Sequence, residues 1–225
     1  MKKSLNILAI VTSLMIVTSA FGQTSNTSGV QAVDIGLSVL WADRNVGADS
    51  PSDYGNYYAW GEIRAKFLCS WDRYKWCNGH EKSLSKYNTS DKYGTVDNRT
   101  LLYDEDDVAH VKLGGNWRMP TKDEFDELLA TKGNENYKWK WTSIKGHKGW
   151  KITFLLNKQS IFLPAAGHLV GISLHGVGSR GYYWSASLAT DSPRYAWLLD
   201  YSSKEVSTDH YHPRCNGHSV RPVTE

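Results

Sequence analysis

Apolar residues recur along this chain in short runs with two different periods. Trp139, Trp141 and Ser143 alternate with Lys138, Lys140 and Thr142, the period-two pattern of a strand. Trp150-Lys151-Ile152-Thr153-Phe154 returns after a turn at Gly146-His147-Lys148-Gly149, which predicts a hairpin with one apolar face. Residues 160–163 predict another short strand, stopped by Pro164. Residues 32–42 hold two apolar pieces hinged at Gly36 and predict a strand or a tight strand pair. Residues 195–201, 205–212 and 218–223 predict a C-terminal meander, with turns at Asp191-Ser192-Pro193 and Asn216-Gly217. The period changes at Thr121. That residue stands as an N-cap with Glu124 three positions on, Asp123, Glu124 and Asp126 suit the positive end of a helix dipole, and Phe125, Leu128 and Leu129 share one face. Gly133 is the expected stop. Acidic residues at 104–107 before Val108-Ala109-His110-Val111 predict a second short helix. The pattern therefore predicts an α+β chain of short β-strands and hairpins with one or two short helices.

The N-terminal segment adds a compartment. Lys2 and Lys3 precede an apolar run over residues 5–17, and Ala20-Phe21-Gly22 supplies small residues where a signal peptidase cuts. The run is short for a membrane span, no later stretch approaches one, and no cysteine lies at the cleavage point. The expected organisation is a signal peptide over 1–22, a flexible Ser/Thr-rich arm over 23–31, and one domain over 32–225 with an irregular insertion at about 63–104. The protein is expected to be exported, whether secreted, periplasmic or held at the outer surface. Without Lys2 and Lys3, 24 basic residues face 23 acidic ones. No basic stripe interleaved with aromatics suggests a strand-binding groove, so no nucleic acid is expected. All ten tryptophans follow the signal, an aromatic load suited to a β-rich core.

Several motifs carry a resemblance. Gly114-Gly115-Asn116-Trp117-Arg118-Met119-Pro120-Thr121-Lys122-Asp123-Glu124-Phe125 resembles the Arg-Leu-Pro-Thr signature of the formylglycine-generating, or sulfatase-modifying-factor, superfamily, a branch of the C-type-lectin-like fold. The chain is most similar to the Fibrobacter succinogenes major paralogous domain family (the FISUMP domain). Val33-Asp34-Ile35-Gly36-Leu37-Ser38-Val39, Trp41-Ala42, Asn45-Val46-Gly47-Ala48 and the run from Asp53 to Glu62 resemble its first blocks. Ile161-Phe162-Leu163-Pro164-Ala165-Ala166-Gly167, Gly181-Tyr182-Tyr183-Trp184-Ser185 and Ser219-Val220-Arg221-Pro222-Val223 resemble its last ones. The resemblance implies a C-type-lectin-like fold over the mature chain. It also implies a cysteine partner for Cys215 after Trp41-Ala42, where this chain has Arg44.

Chemistry is sparse. Copper-dependent formylglycine generation, which the resemblance would suggest, needs a thiolate pair near the C-terminus; only Cys215 lies there, beside Ser185 and Ser187, so that activity is expected to be absent. Cys69 and Cys77 are close enough in sequence to bridge a loop, and Cys215 is expected to be buried and free. The lectin tripeptides that ligate calcium are missing. Asp104 to Asp107 are weighed as cation ligands and as helix-start residues, the latter preferred. His210 and His212 form a half-site for zinc that would need Asp209, His218 or Cys215. The glycine-rich stretch at 167–181 runs into a strand rather than a helix, which argues against phosphate binding. No Gly-x-Ser-x-Gly elbow marks a hydrolase. The expectation is a non-catalytic module, without cofactor or metal, that recognises a glycan or protein ligand at the cell surface. Tyr183, Arg194, Tyr195, Tyr201, His210, Tyr211, His212 and Arg214 in the C-terminal strands, with Trp71, Tyr74 and Trp76 in the insertion, are the candidate binding residues. Trp184 and Trp197 are expected in the core. A structural or adhesive subunit of a surface assembly is the alternative, and an enzyme of other chemistry the weaker one.

Overall fold

The computed structural model describes residues 29–225; the expected signal peptide and most of the N-terminal arm lie outside the described residues. The first strands are short. β1 (Ala32–Val33) and β2 (Leu40–Ala42) pair antiparallel through a reversal at Gly36, whose φ of +74° suits glycine. A side chain there would also meet the Phe154 ring at 2.5 Å, so the turn and the hairpin behind it come together only over a bare backbone. The third strand of this sheet is β11 (Val223–Thr224), from the other end of the chain, paired with β2. The C-terminal run expected to finish a meander therefore closes the molecule against its own beginning.

Residues 56–104 contain short 3-10 turns and isolated bridges. Their backbone polar groups find partners all the same. Asp97 accepts from the amides of Tyr87 and Asn88, and Tyr74 donates to the Trp60 carbonyl at 2.7 Å. Then α1 (Val108–Leu113) starts on Asp107, whose Oδ1 accepts from Ala109 and His110 while Oδ2 accepts from Met119. α2 (Lys122–Ala130) carries the full capping box of Thr121 and Glu124. Arg118 grips the same Glu124 through two bonds of 2.8 and 2.6 Å, so the Trp-Arg-Met-Pro-Thr run is tied to the helix it introduces.

A second sheet holds β3 (Tyr137–Ile144), β4 (His147–Phe154) and β5 (Ser160–Pro164), all antiparallel. Trp139, Trp141 and Trp150 face the core side of this sheet, and the intervening lysines face out. A small hairpin of β6 (His168–Val170) and β7 (Ser173–His175) occupies the glycine-rich stretch. The third sheet has the order β10-β9-β8, built from β8 (Gly181–Leu188), β9 (Tyr195–Tyr201) and β10 (Val206–Pro213). One face of it packs with Trp41, Phe125 and the β3–β5 sheet. The other packs with Tyr58, Trp60 and Val220. The class is α+β: among the described residues, short antiparallel strands in open sheets with two short α-helices.

Candidate functional site

Burial of both faces of the C-terminal sheet decides which of the candidate residues reach solvent. Tyr183, Tyr201, Arg214 and Tyr74 do not. Their polar ends are tied down inside: Tyr183 and Tyr201 donate to the Pro164 carbonyl at 2.7 and 2.9 Å, and the Tyr201 ring fills the space a side chain at Gly181 would need. Arg214 donates to the Tyr74 hydroxyl and to the carbonyls of Tyr87, Pro193 and Lys86. These four residues correct the sequence reading of a docking face. Tyrosine and arginine suit recognition because they join flat surface to directional donors, and the same property suits them to brace a polar interior.

Arg194, Tyr195, Tyr211, His210 and His212 meet along β10, the edge of the sheet. Tyr211 lies opposite Trp197 and Pro213 opposite Tyr195. The Tyr211 ring is therefore flanked by both aromatics, 5.0 Å from Tyr195 and 5.3 Å from Trp197, and is 45% exposed. Trp197, expected in the core, is only half-buried and completes this platform. Cations close its ends. Arg194 lies over Tyr195 at 4.8 Å and pairs with Glu81 at 2.6 Å, while Lys122 lies 5.3 Å from the Trp197 ring. Glu81 and Lys122 are far from β10 in sequence, and no local pattern connects them to it.

On the other side of the same edge, Arg180, Tyr182, Asp200, Asp209, His210, Tyr211 and His212 line an open depression of about 460 Å³. Asp200 sits at its base, 3.2 Å from His210 and 3.6 Å from Arg180. His212 reaches inward, its Nδ1 3.1 Å from Nε2 of the buried His218. Burial holds both imidazoles below the usual histidine range. Among the described residues no group of three or more His, Cys, Asp or Glu side chains is disposed to hold a metal ion. The acidic run is engaged elsewhere. Asp106 accepts from Tyr87, Lys75 and Lys86, and Asp107 caps α1.

The insertion aromatics form a separate group. Trp71 and Tyr74 meet edge to face at 5.6 Å, Trp76 donates to the Gly61 carbonyl, and all three pack around Cys215 and Ala59. Cys69, Cys77 and Cys215 are free thiols, so no bridge joins Cys69 to Cys77. Burial pushes the Cys69 and Cys215 thiols up to about 12, which keeps them protonated and unreactive as nucleophiles. Against models of protein families, curated proteins and solved structures, the chain finds no match.

Proposed function

We propose that this chain is an exported, non-catalytic recognition module of C-type-lectin-like architecture, related to the FISUMP family it resembles, that binds a glycan or protein ligand along β10. The observation that carries the reading is the Tyr195–Tyr211–Trp197 platform, with its cationic ends and the Asp200 depression on the other side of the same edge. An exposed Tyr211 ring flanked by two half-buried ones, with a carboxylate and directional donors across the same edge, suits a sugar ring, whose two sides are apolar and hydroxylated. The same residue types dominate protein hot spots. Glycan-array and pull-down screening of residues 23–225 tests it. Tyr211→Ala and Trp197→Ala should each weaken any ligand found by about 2 kcal/mol, roughly 30-fold. Unchanged binding in variants that keep their melting temperature would remove β10 as the site.

A second reading, a subunit of a surface assembly, is favoured by an apolar spur. The backbone of Cys69 pairs with Gly171, which sets Phe67 (88% exposed) and Leu68 beside Val170 and Ile172 (80% exposed). If that spur joins subunits, sedimentation at micromolar concentration shows oligomers that Ile172→Asp disperses. A monomer at every concentration rejects self-assembly.

A further inference from the structure

Between Glu135 and Asp191 the chain contains no acidic residue, yet it contains six lysines and Arg180. With a net charge of only +3 overall, the remaining sequence is on balance acidic, so positive charge is concentrated on one part of the fold. The register of β3 and β4 concentrates it further. Lys140 stands directly opposite Lys151, and Lys138 opposite Thr153. All three lysines are exposed, and among the described residues none has an ion pair or hydrogen-bond partner. Lysines facing each other across a pair of strands repel, and natural sheets usually oppose unlike charges there. Together with Thr142, Thr153 and Ile144 these lysines line an open hollow of about 360 Å³. Among the described residues the one ion pair of the hairpin joins His147 to Asp53 at 3.8 Å, at the turn end where His147 stands opposite Ile144, and neither residue lines the hollow.

We propose that this outer face of the β3–β4 hairpin docks an anionic polysaccharide, one bearing carboxylates or sulfates, on Lys138, Lys140 and Lys151. The surface is independent of the β10 edge. A polyanion lying across it relieves the Lys140–Lys151 repulsion and finds hydroxyl partners in Thr142 and Thr153. Charge complementarity alone would also admit nucleic acid or an anionic bilayer, but the side chains favour neither. Trp139, Trp141 and Trp150 all lie on the opposite side of the sheet, and no ring lines the hollow for a base to stack on. Ile144 is the one large apolar side chain lining the hollow, too little to enter a bilayer. Lysine ammonium groups, compact and freely rotating, suit a flexible chain with dispersed charges more than a fixed planar acceptor.

The test measures retention of residues 23–225 by heparin and alginate, with neutral dextran as the blank. Lys140→Ser/Lys151→Ser should weaken binding at low salt on the order of tenfold and flatten its dependence on salt by roughly one counterion per lysine removed. Lys82→Ser/Lys204→Ser, which removes two exposed charges elsewhere, should leave retention nearly unchanged. The hairpin double variant should melt at or above the parent temperature, since the repulsion goes with the lysines. The proposal is overturned if neither polysaccharide is retained, or if both double variants lose binding equally. It also fails if duplex DNA or anionic phosphatidylglycerol vesicles bind as tightly through the same lysines, for the partner would then be of another class.

Discussion

Arg214 and Arg221 keep their guanidinium groups fully inside the protein, and neither has an ion pair among the described residues. Carbonyls, a hydroxyl and an amide oxygen satisfy them instead: Arg221 donates to Asn45, Ala42 and Phe162 at 2.7 to 2.9 Å, and Arg214 to four oxygens while lying 4.9 Å from the Trp60 ring. A buried cation of this kind is costly to desolvate and costlier to lose, because its acceptors are left dry and unpaired. Arg214→Met should therefore cost about 3 kcal/mol or more in denaturant unfolding. A loss under 1 kcal/mol would show that the acceptors find other donors. At this scale the sequence reading selected tyrosine, arginine and histidine as candidates. Along β10 those types reach solvent, whereas at Tyr183, Tyr201 and Arg214 they reach inward, and residue identity alone cannot separate the two outcomes.

Elements with strong local chemistry are the ones legible in advance. Thr121→Ala removes one half of the α2 box and should cost about 1 kcal/mol. Glu124→Ala should cost more, because the Arg118 bonds and the Thr121 amide bond disappear with it. Denaturation midpoints of the two variants test that order. The β6–β7 hairpin was not legible, since strands of three residues within a glycine-rich stretch have too little pattern to read. Yet it brings His168 and His175 beside His212 and His218, with ring centroids 5.0 to 5.6 Å apart along the cluster. Burial, then His212, His175 and Arg180, push His168 down to about 4. Burial also lowers His212, against the pull of Asp200, and lowers His218 well below its usual range. The folded state thus keeps three imidazoles neutral that the unfolded chain protonates near pH 6.5. Their contribution is complete above about pH 6.5 and is lost as pH falls below it, the His168 share going as pH approaches about 4. The melting temperature should fall across that window with proton uptake of up to about three on unfolding, and His168→Gln should reduce that uptake by about one. A flat profile would mean the cluster protonates while folded.

The whole molecule depends on its last residues. β11 pairs with β2, Val223 bridges Arg118 just before α2, and Arg221 ties both to β5. A chain ending at Gly217 should therefore lose cooperative unfolding altogether, read as the absence of a calorimetric transition. A residual sharp transition would show that the three sheets hold together without this closure. The strand pairing that makes the closure so central was not evident in the C-terminal run, which by its own pattern would continue the meander onto β10.

What the sequence determined by itself is local: the two capped helices, the β3–β4 hairpin with its alternating tryptophans and lysines, and the strand content of an α+β chain. Each rests on contacts between residues a few positions apart, or on a period that one segment carries alone. Tertiary structure decided what no segment contains. It chose which tyrosines and arginines brace the interior and which line β10, brought Glu81 and Lys122 to the ends of the aromatic platform, and gathered four histidines from three strands and a loop. It also paired the two ends of the chain in one sheet. Those outcomes depend on which surfaces exclude water from which others, and exclusion is a property of the packed chain.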